Sequence, residues 1–405
     1  MQNCDILILG AGPAGLSTTL HLARDFPHLA PRVLILDKAR HPRPKLCAGG
    51  LTLDAEIILQ RLGLDVNEVP HADASVAHFD FEGRGLSIRN SKRRLLRVVR
   101  RDEFDAWLAG KVREQGIEIR EQVTVKDVRP DAAGVTVVTD AGEFRAQMVV
   151  GADGSNGVTR RCVLPREPIH TARTLEVITP SDPHRSASRA TSPKFSKFGG
   201  EREGAFFDFF CVPSGIEGYT WDFPTQIKGE PMRCWGIYDA NLYPHAGKPA
   251  LQETLSAEMT RHGLDLGNFE LKGHPIRQFD PWAKISMPRV LLAGDAAGAD
   301  PLFGEGISMA LGYGVLAACE IGKAFQRGEF SFNGYNRRVA RSGLGQTLFV
   351  RWVVAQFVYS FQWRWFQFLL WRVLKPVVAA VAWAFILNWA RRLPKSKESK
   401  GQARH

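Results

Sequence analysis

Ile6-Leu7-Ile8-Leu9-Gly10-Ala11-Gly12-Pro13-Ala14-Gly15 reads as a buried strand running into a glycine turn, and its reading decides the fold. Gly10 permits the tight turn, Gly12 lets the backbone approach a pyrophosphate, and Gly15 lets helix and strand pack closely. The helix expected from about Ala14 to Asp25 aims free N–H groups and its positive dipole end at that phosphate. A second apolar strand, Arg32 to Leu36, ends in Asp37 and Lys38. Asp37 lies 22 residues past Gly15, the spacing at which a carboxylate accepts hydrogen bonds from an adenosine ribose. The chain therefore begins as a βαβ unit of an α/β protein built to hold a dinucleotide.

Two distant segments repeat the pattern of an apolar strand entering a glycine turn. They are Val149-Val150-Gly151-Ala152-Asp153-Gly154 and Val290-Leu291-Leu292-Ala293-Gly294-Asp295-Ala296-Ala297-Gly298. In this order the three segments resemble the cofactor contacts of FAD-binding oxidoreductases with the group-A flavoprotein monooxygenase fold. Arg101-Asp102-Glu103-Phe104-Asp105-Ala106-Trp107-Leu108 resembles the RxxFDxxL stretch of those proteins and opens a helix running to about Gln115. The resemblance implies that Arg101 reaches the cofactor, that Val123 lies near the adenine, and that Asp153 belongs to the second contact. It further implies that Gly294 and Asp295 meet the ribityl chain. A helix from Ile307 to about Gln326, entered through Gly304 and Gly306, then points its N–H groups at the flavin pyrimidine edge. Such donors favour the anionic reduced flavin. No second GxGxxG follows a later strand, so the electron donor is expected to be a transiently docking NAD(P)H, ferredoxin or another small reductant.

Gly218-Tyr219-Thr220-Trp221-Asp222-Phe223-Pro224 matches the YxWxFP motif of the geranylgeranyl reductase family, and Lys45-Leu46-Cys47-Ala48-Gly49-Gly50-Leu51 resembles its KxCxGG stretch beside the flavin. The likeness spans roughly residues 3 to 340 and keeps the family's order. It implies FAD-dependent saturation of carbon–carbon double bonds in prenyl chains, with Cys47, Ala48 and Gly49 at the cofactor. A prenyl chain has no polar handle along its length, so its tunnel must be apolar. Tyr219, Trp221 and Phe223 alternate along a strand and share one face; with Pro224 they are the expected substrate contacts. The face of Trp221 could steady cationic character on a tertiary carbon. Tyr219 and Cys47 are candidate proton donors, with an ordered water as the alternative. The competing reading of the aromatic trio is an ordinary sheet core. A flavin monooxygenase or hydroxylase on the same fold, and a non-catalytic prenyl carrier, are the rival functions.

The chain has 405 residues and a net charge of +11. Its six cysteines form no CxxC pair and its eleven histidines fall in no ligand or triad pattern, so no metal site is expected. His21, His170, His184, His245 and His274 receive no role. Basic residues concentrate in the 391–405 tail and in Lys92-Arg93-Arg94 with Arg97, Arg100 and Arg101. No nucleic-acid motif accompanies them; an anionic lipid, a diphosphate or an acidic electron carrier fits better. No role for Asp300 follows from the sequence.

Six of the ten tryptophans fall between Thr347 and Ala390, together with six phenylalanines and Tyr359. Two helices are expected there, about 343–372 and 376–392, with Pro376 at the first turn of the second. The uncharged run 376–390 would make about 22 Å of helix against a hydrocarbon core of about 30 Å. Arg351 and Arg364 interrupt the first helix. These helices are read as a surface seated on the membrane, with a single span and a soluble cap over the substrate tunnel as alternatives. The expected architecture is a three-layer Rossmann-type FAD-binding domain (1–70, 96–170 and 276–340). Into it is inserted an antiparallel β-sheet substrate domain (71–95 and 171–275). A helical membrane-facing region (341–392) and a basic disordered tail (393–405) follow. The expected location is cytoplasmic, peripheral to the membrane, with a prenylated lipid or prenyl diphosphate as substrate.

Overall fold

The computed structural model describes residues 2–89, 94–168, 170–181, 204–244 and 247–394. Lys92, Arg93, His184, His245 and the basic tail beyond residue 394 lie outside the described residues.

The first sheet is mixed and eight-stranded. Its centre is parallel, in the order Val290–Leu292, Gly142–Gly151, Gln2–Leu9, Val33–Leu36, Glu118–Arg120. Register explains why segments nearly 300 residues apart meet. Leu9 pairs with Gly151 and with Leu36, and Gly151 pairs with Leu292, so all three glycine turns and Asp37 leave the same edge of the sheet. Ile6 and Ile8 point into one apolar cluster with Leu16, Phe104 and Leu311 from the helices Pro13–Asp25, Arg101–Glu114 and Ile307–Arg327. Leu7 and Leu9 point the other way, into a cluster with Val128, Val135 and Val137 of the hairpin strands Val125–Pro130 and Val135–Thr139. A strand buried on both sides needs apolar residues at every position, which is what the unbroken Ile6–Leu9 run supplies. The helix pair approaches closely at Gly314, where a methyl group would lie 2.4 Å from Ser17 Oγ.

The second sheet has seven strands in the order Lys272–Arg277, Thr171–Pro180, Glu230–Asp239, Gly218–Ile227, Ala205–Asp208, Val76–Phe81, Arg84–Arg89. Its pairs are antiparallel except Ala205–Asp208 with Val76–Phe81, which run parallel. That departs from the wholly antiparallel sheet expected, and the reason is connectivity: the two strands come from separate insertions, so no hairpin dictates their direction. A small third sheet, Gly50–Leu51 with Leu96–Val99 and His71–Ala74, was not foreseen.

The aromatic C-terminal region folds as Gly343–Ser360, then Arg364–Phe368 continuing through a π-helical turn at Leu369–Val373, then Lys375–Val381 with a second π-helical turn, and a final turn at Trp389–Arg392. The expected helix 343–372 thus breaks near Phe361. The Gln367 side chain donates to the carbonyls of Val358 (2.9 Å) and Phe361 (3.0 Å), satisfying groups that a continuing helix would have bonded. The Trp389–Arg392 turn is fastened to the first domain: Asp54 accepts from the backbone of Asn388 and Ala390, and Trp389 is buried against Gly312. Among the described residues one unbroken helix, Ile307–Arg327, is long and apolar enough to cross a membrane, and 89% of its 18-residue apolar stretch is buried inside the protein. The pair Arg364–Val373 and Lys375–Arg392 passes the same test only jointly and is bent by 77°.

Candidate functional site

The first glycine turn is braced from several directions. Ala11 N–H donates to Asp37 Oδ2 (2.7 Å), His41 Nε2 meets the Ala11 carbonyl (3.0 Å), and Gly10 N–H donates to Leu36 O (2.8 Å). Gly10 has φ +109°, and a methyl group there would lie 2.3 Å from Ala152 O; at Gly15 it would lie 2.1 Å from Gly10 O. Gly12 is different. A methyl group there would meet only Arg43 Nη2, at 3.6 Å, so its outer face is open. The helix that follows has no side-chain cap and no acid in its first turn, leaving its first N–H groups free for an anion. These residues fit a pyrophosphate, with Arg43 beside it as a cation that the sequence reading missed. Gly12→Ala is expected to leave the fold intact while lowering FAD affinity at least about tenfold, or about 1.4 kcal/mol. Flavin content and thermal melting of the purified variant check the two halves of that statement.

Asp37 Oδ1 also accepts from Ala39 N–H (2.8 Å), and Val123 N–H donates to the Asp37 carbonyl (2.9 Å), which brings Val123 to the ribose end of the turn; Lys38 is exposed. Asp153 faces inward: its Oδ2 accepts from Thr159 N–H (2.8 Å) and Oγ1 (2.9 Å), tying the second turn to the helix Val158–Val163. Asp295 is half-buried and accepts from Ser155 Oγ (3.2 Å). Gly294 has φ +63° and packs against Ala14, which locks the third turn onto the first helix.

A compact charged group lies between these turns and the second sheet. Arg101 is buried and forms a two-pronged ion pair with Asp105 (2.8 and 2.9 Å), which outweighs the burial that would otherwise discharge it. Cys47 lies against the Arg101 guanidinium, and Gly49, at φ +78°, packs under Val99 O. Lys45 Nζ meets His274 Nε2 at 2.5 Å. Burial and the Lys45 charge push the His274 imidazole down to about 4, and burial lowers the Lys45 ammonium too. Lys45 belonged to the motif but drew no role from it. Nothing in the sequence around His274, on the far strand Lys272–Arg277, pointed to the meeting.

The loop before the Ile307–Arg327 helix is held with unusual thoroughness. Tyr238, Tyr359 and Tyr219 donate their hydroxyls to the successive carbonyls of Pro301 (3.0 Å), Leu302 (2.6 Å) and Phe303 (2.6 Å). Asp300 accepts from the N–H groups of Leu302 and Phe303, and Arg351 pairs with both Asp300 (2.6 Å) and Glu305 (2.7 Å). Gly304 has φ +67°, and a methyl group there would lie 2.8 Å from the Tyr238 ring. Gly306 precedes Ile307 at a helix start free of side-chain caps, which leaves its first N–H groups without a capping side chain, and a methyl group on Gly306 would lie 3.5 Å from Asp295 Oδ1. This corrects the reading of Arg351 as an interruption in an apolar helix: its charge is neutralised inside the protein.

Tyr219, Trp221 and Phe223 do share one face of the sheet, and all three are buried. They join Phe207, Phe303, Tyr238, Tyr359 and Trp371 in a continuous aromatic core, in which Trp371 stacks on Phe209 at 3.9 Å. Pro224, expected among the substrate contacts, alternates to the opposite face of the strand, opposite Arg233, and does not join them. The C-terminal helices therefore roof the motif strand. The Tyr219 proton is committed to the Phe303 carbonyl, so this side chain positions the loop. Among the described residues no cluster could hold a metal ion.

A doubly braced glycine cradle, a charged centre and an aromatic sheet face together define an FAD-dependent oxidoreductase. Residues 3–318 match the FAD binding domain family, and the chain belongs to it. A protein of Methanosarcina barkeri is 30% identical over 84% of this chain and 80% of its own length. The digeranylgeranylglycerophospholipid reductase of Thermoplasma volcanium is 26% identical over 82% of this chain and 81% of its own. Among solved structures, a geranylgeranyl bacteriochlorophyll reductase-like protein of Thermoplasma acidophilum superposes with a TM-score of 0.72 at 19% identity, covering 100% of this chain and 98% of that one.

Proposed function

We propose that this enzyme saturates carbon–carbon double bonds of prenyl chains carried by a membrane-associated lipid, quinone or diphosphate precursor. The observation that carries the proposal is the aromatic face of Tyr219, Trp221, Phe223 and Phe207, which adjoins Phe303 of the flavin-facing loop. Bound FAD supplies the hydride. Trp221 offers its ring face to the carbon that gains cationic character, and the surrounding aromatics exclude water from it. Tyr219 fixes the loop through Phe303, and Arg101 and Lys45 keep positive charge beside Cys47, where a reduced anionic cofactor needs it. The electron donor, NAD(P)H or ferredoxin, docks transiently. The C-terminal helices deliver lipid substrate from the membrane surface; their roofing of the aromatic face and their further aromatics exposed outward support this reading.

The test is anaerobic. Protein reduced with dithionite and mixed with geranylgeranyl diphosphate is expected to reoxidise its flavin in step with a gain of two hydrogens per double bond, read by mass spectrometry. Repeating it with menaquinone and with unsaturated ether lipids identifies the natural chain. Flavin that stays reduced with every prenyl substrate until air is admitted would assign the protein to oxygen chemistry instead. Protein that neither carries nor takes up FAD would assign it to prenyl binding without turnover.

A further inference from the structure

We propose that Glu176 is the proton donor of this reduction, delivering its carboxyl proton to the alkene carbon that does not receive hydride. The assignment rests on the prenyl reductase reading above.

Glu176 lies on the strand Thr171–Pro180, directly opposite Gly236, and Gly236 lies directly opposite Trp221. Residues opposed in antiparallel strands share a face. Glu176 therefore points to the same side as Tyr219, Trp221, Phe223 and Tyr238, the side that meets the flavin-facing loop. Gly236 carries no side chain, and the indole fills the space: a methyl group there would lie 2.1 Å from Trp221 Cζ2. The ring thus reaches across the intervening strand toward the carboxyl group. Glu176 is 6% exposed, and its Oε2 has no hydrogen-bond partner among the described residues. A buried carboxyl oxygen without a partner, beside the aromatic that faces substrate, is the kind of exception that calls for a role.

The groups facing it are Arg100 at the start of the Arg101–Glu114 helix, Lys272 on the neighbouring strand, and the Cys234 thiol, with Cys47 beyond Cys234. Burial pushes the carboxyl up to about 7, against the pull of Arg100, a hydrogen bond with the Cys234 thiol and the charge of Lys272, so it holds a proton near neutrality and can release it. The other candidates on this face are less suited. Tyr219 is engaged by Phe303, and burial drives the Cys234 thiol well above its ordinary range. In the step, the alkene takes hydride with its electron pair from reduced FAD, which becomes oxidised. The π bond breaks, its electrons form a C–H bond to the Glu176 proton, and the carboxylate regains a proton from solvent.

The experiment follows flavin reoxidation in a single anaerobic turnover with geranylgeranyl diphosphate, as a function of pH. The wild-type rate is expected to fall about tenfold per pH unit above about pH 7. Glu176→Gln preserves shape and neutrality; it is expected to lose at least about a hundredfold in rate at pH 6 and to lose the pH dependence. Its FAD content and its reduction by dithionite should be unchanged, and Glu176→Asp should recover part of the rate. A Gln variant with the wild-type rate, or a slow one that keeps the wild-type pH profile, overturns the assignment. In either case Lys45→Met then tests the Lys45–His274 pair as donor. Wild-type protein inert toward every prenyl substrate overturns the reductase reading, and this assignment with it.

Discussion

Arg351→Met is expected to destabilise the protein by about 3–5 kcal/mol and to release its FAD, because it strands two carboxylates away from water. Asp300 is fully buried and Glu305 nearly so, and one guanidinium nitrogen reaches both, at 2.6 and 2.7 Å. The same side chain donates to the Ile386 carbonyl through Nη2, so it also joins the Gly343–Ser360 helix to the π-helical turn Ala382–Ile386. Burial pushes the Asp300 carboxyl up, and Arg351 opposes that push. Without the arginine, the buried Asp300 carboxyl folds only by keeping its proton. A folded-state pKa raised above the unfolded value means stability that is present below the unfolded carboxylate range and lost as pH rises. The variant's deficit should therefore be smallest near pH 5 and largest near pH 8, read as the shift of its denaturant midpoint against wild type. Adding Asp300→Asn and Glu305→Gln should restore much of the loss, since the uncompensated charges, not the missing arginine, carry it. An Arg351→Met protein that melts like wild type at pH 8, with its flavin in place, would show that water reaches these carboxylates.

That ion cluster also marks where the sequence stops being readable. The glycine turns were legible because each carries its own local requirement: a positive φ at Gly10, a close approach at Gly15, an acceptor at Asp37. Apolar runs such as Ile6–Leu9 announce strands buried on both faces, and their parallel pairing then brings the turns together without further information. Asp300 and Arg351 carry no such signal. They stand 51 residues apart, and a charge in an apolar helix reads equally as a break, a snorkelling anchor or a buried partner. The same holds for Tyr238 and Tyr359, whose hydroxyls serve carbonyls far along the chain. His274 and Lys45 are 229 residues apart and meet through the packing of two sheets. The break at Phe361 has no proline or glycine behind it; a glutamine six residues on supplies the missing donor. Spacing finds residues that act on their neighbours in sequence, and contacts between distant elements need the fold.

Replacing Trp363, Trp365 and Trp383 together with serine is expected to weaken binding to vesicles of phosphatidylcholine and phosphatidylglycerol by about a thousandfold. The three indoles are 57%, 61% and 72% exposed, although tryptophan is among the side chains water tolerates least on a surface. They have company: Phe349, Val353, Phe357, Phe368, Val373, Val377 and Phe385 are exposed across the C-terminal helices, and Trp282 of the first domain packs edge-on against Trp352 at 5.2 Å. Patches of this kind on a monomer mark a surface that another phase or partner covers. A bilayer interface suits these helices better than a span does. Lys375–Val381 gives only about 10 Å of straight helix, and the chain turns by 77° beside it, so the aromatics can enter the headgroup layer without crossing the core. At about 1.5 kcal/mol for each indole withdrawn from water, three give about 4.5 kcal/mol, which is the thousandfold. The substitutions lie outside the aromatic core, so flavin content and turnover of soluble geranylgeranyl diphosphate should persist while turnover of vesicle-borne lipid falls. Unchanged vesicle binding that salt abolishes would move the attachment to the basic residues, and unchanged binding in high salt would leave this face to a protein partner.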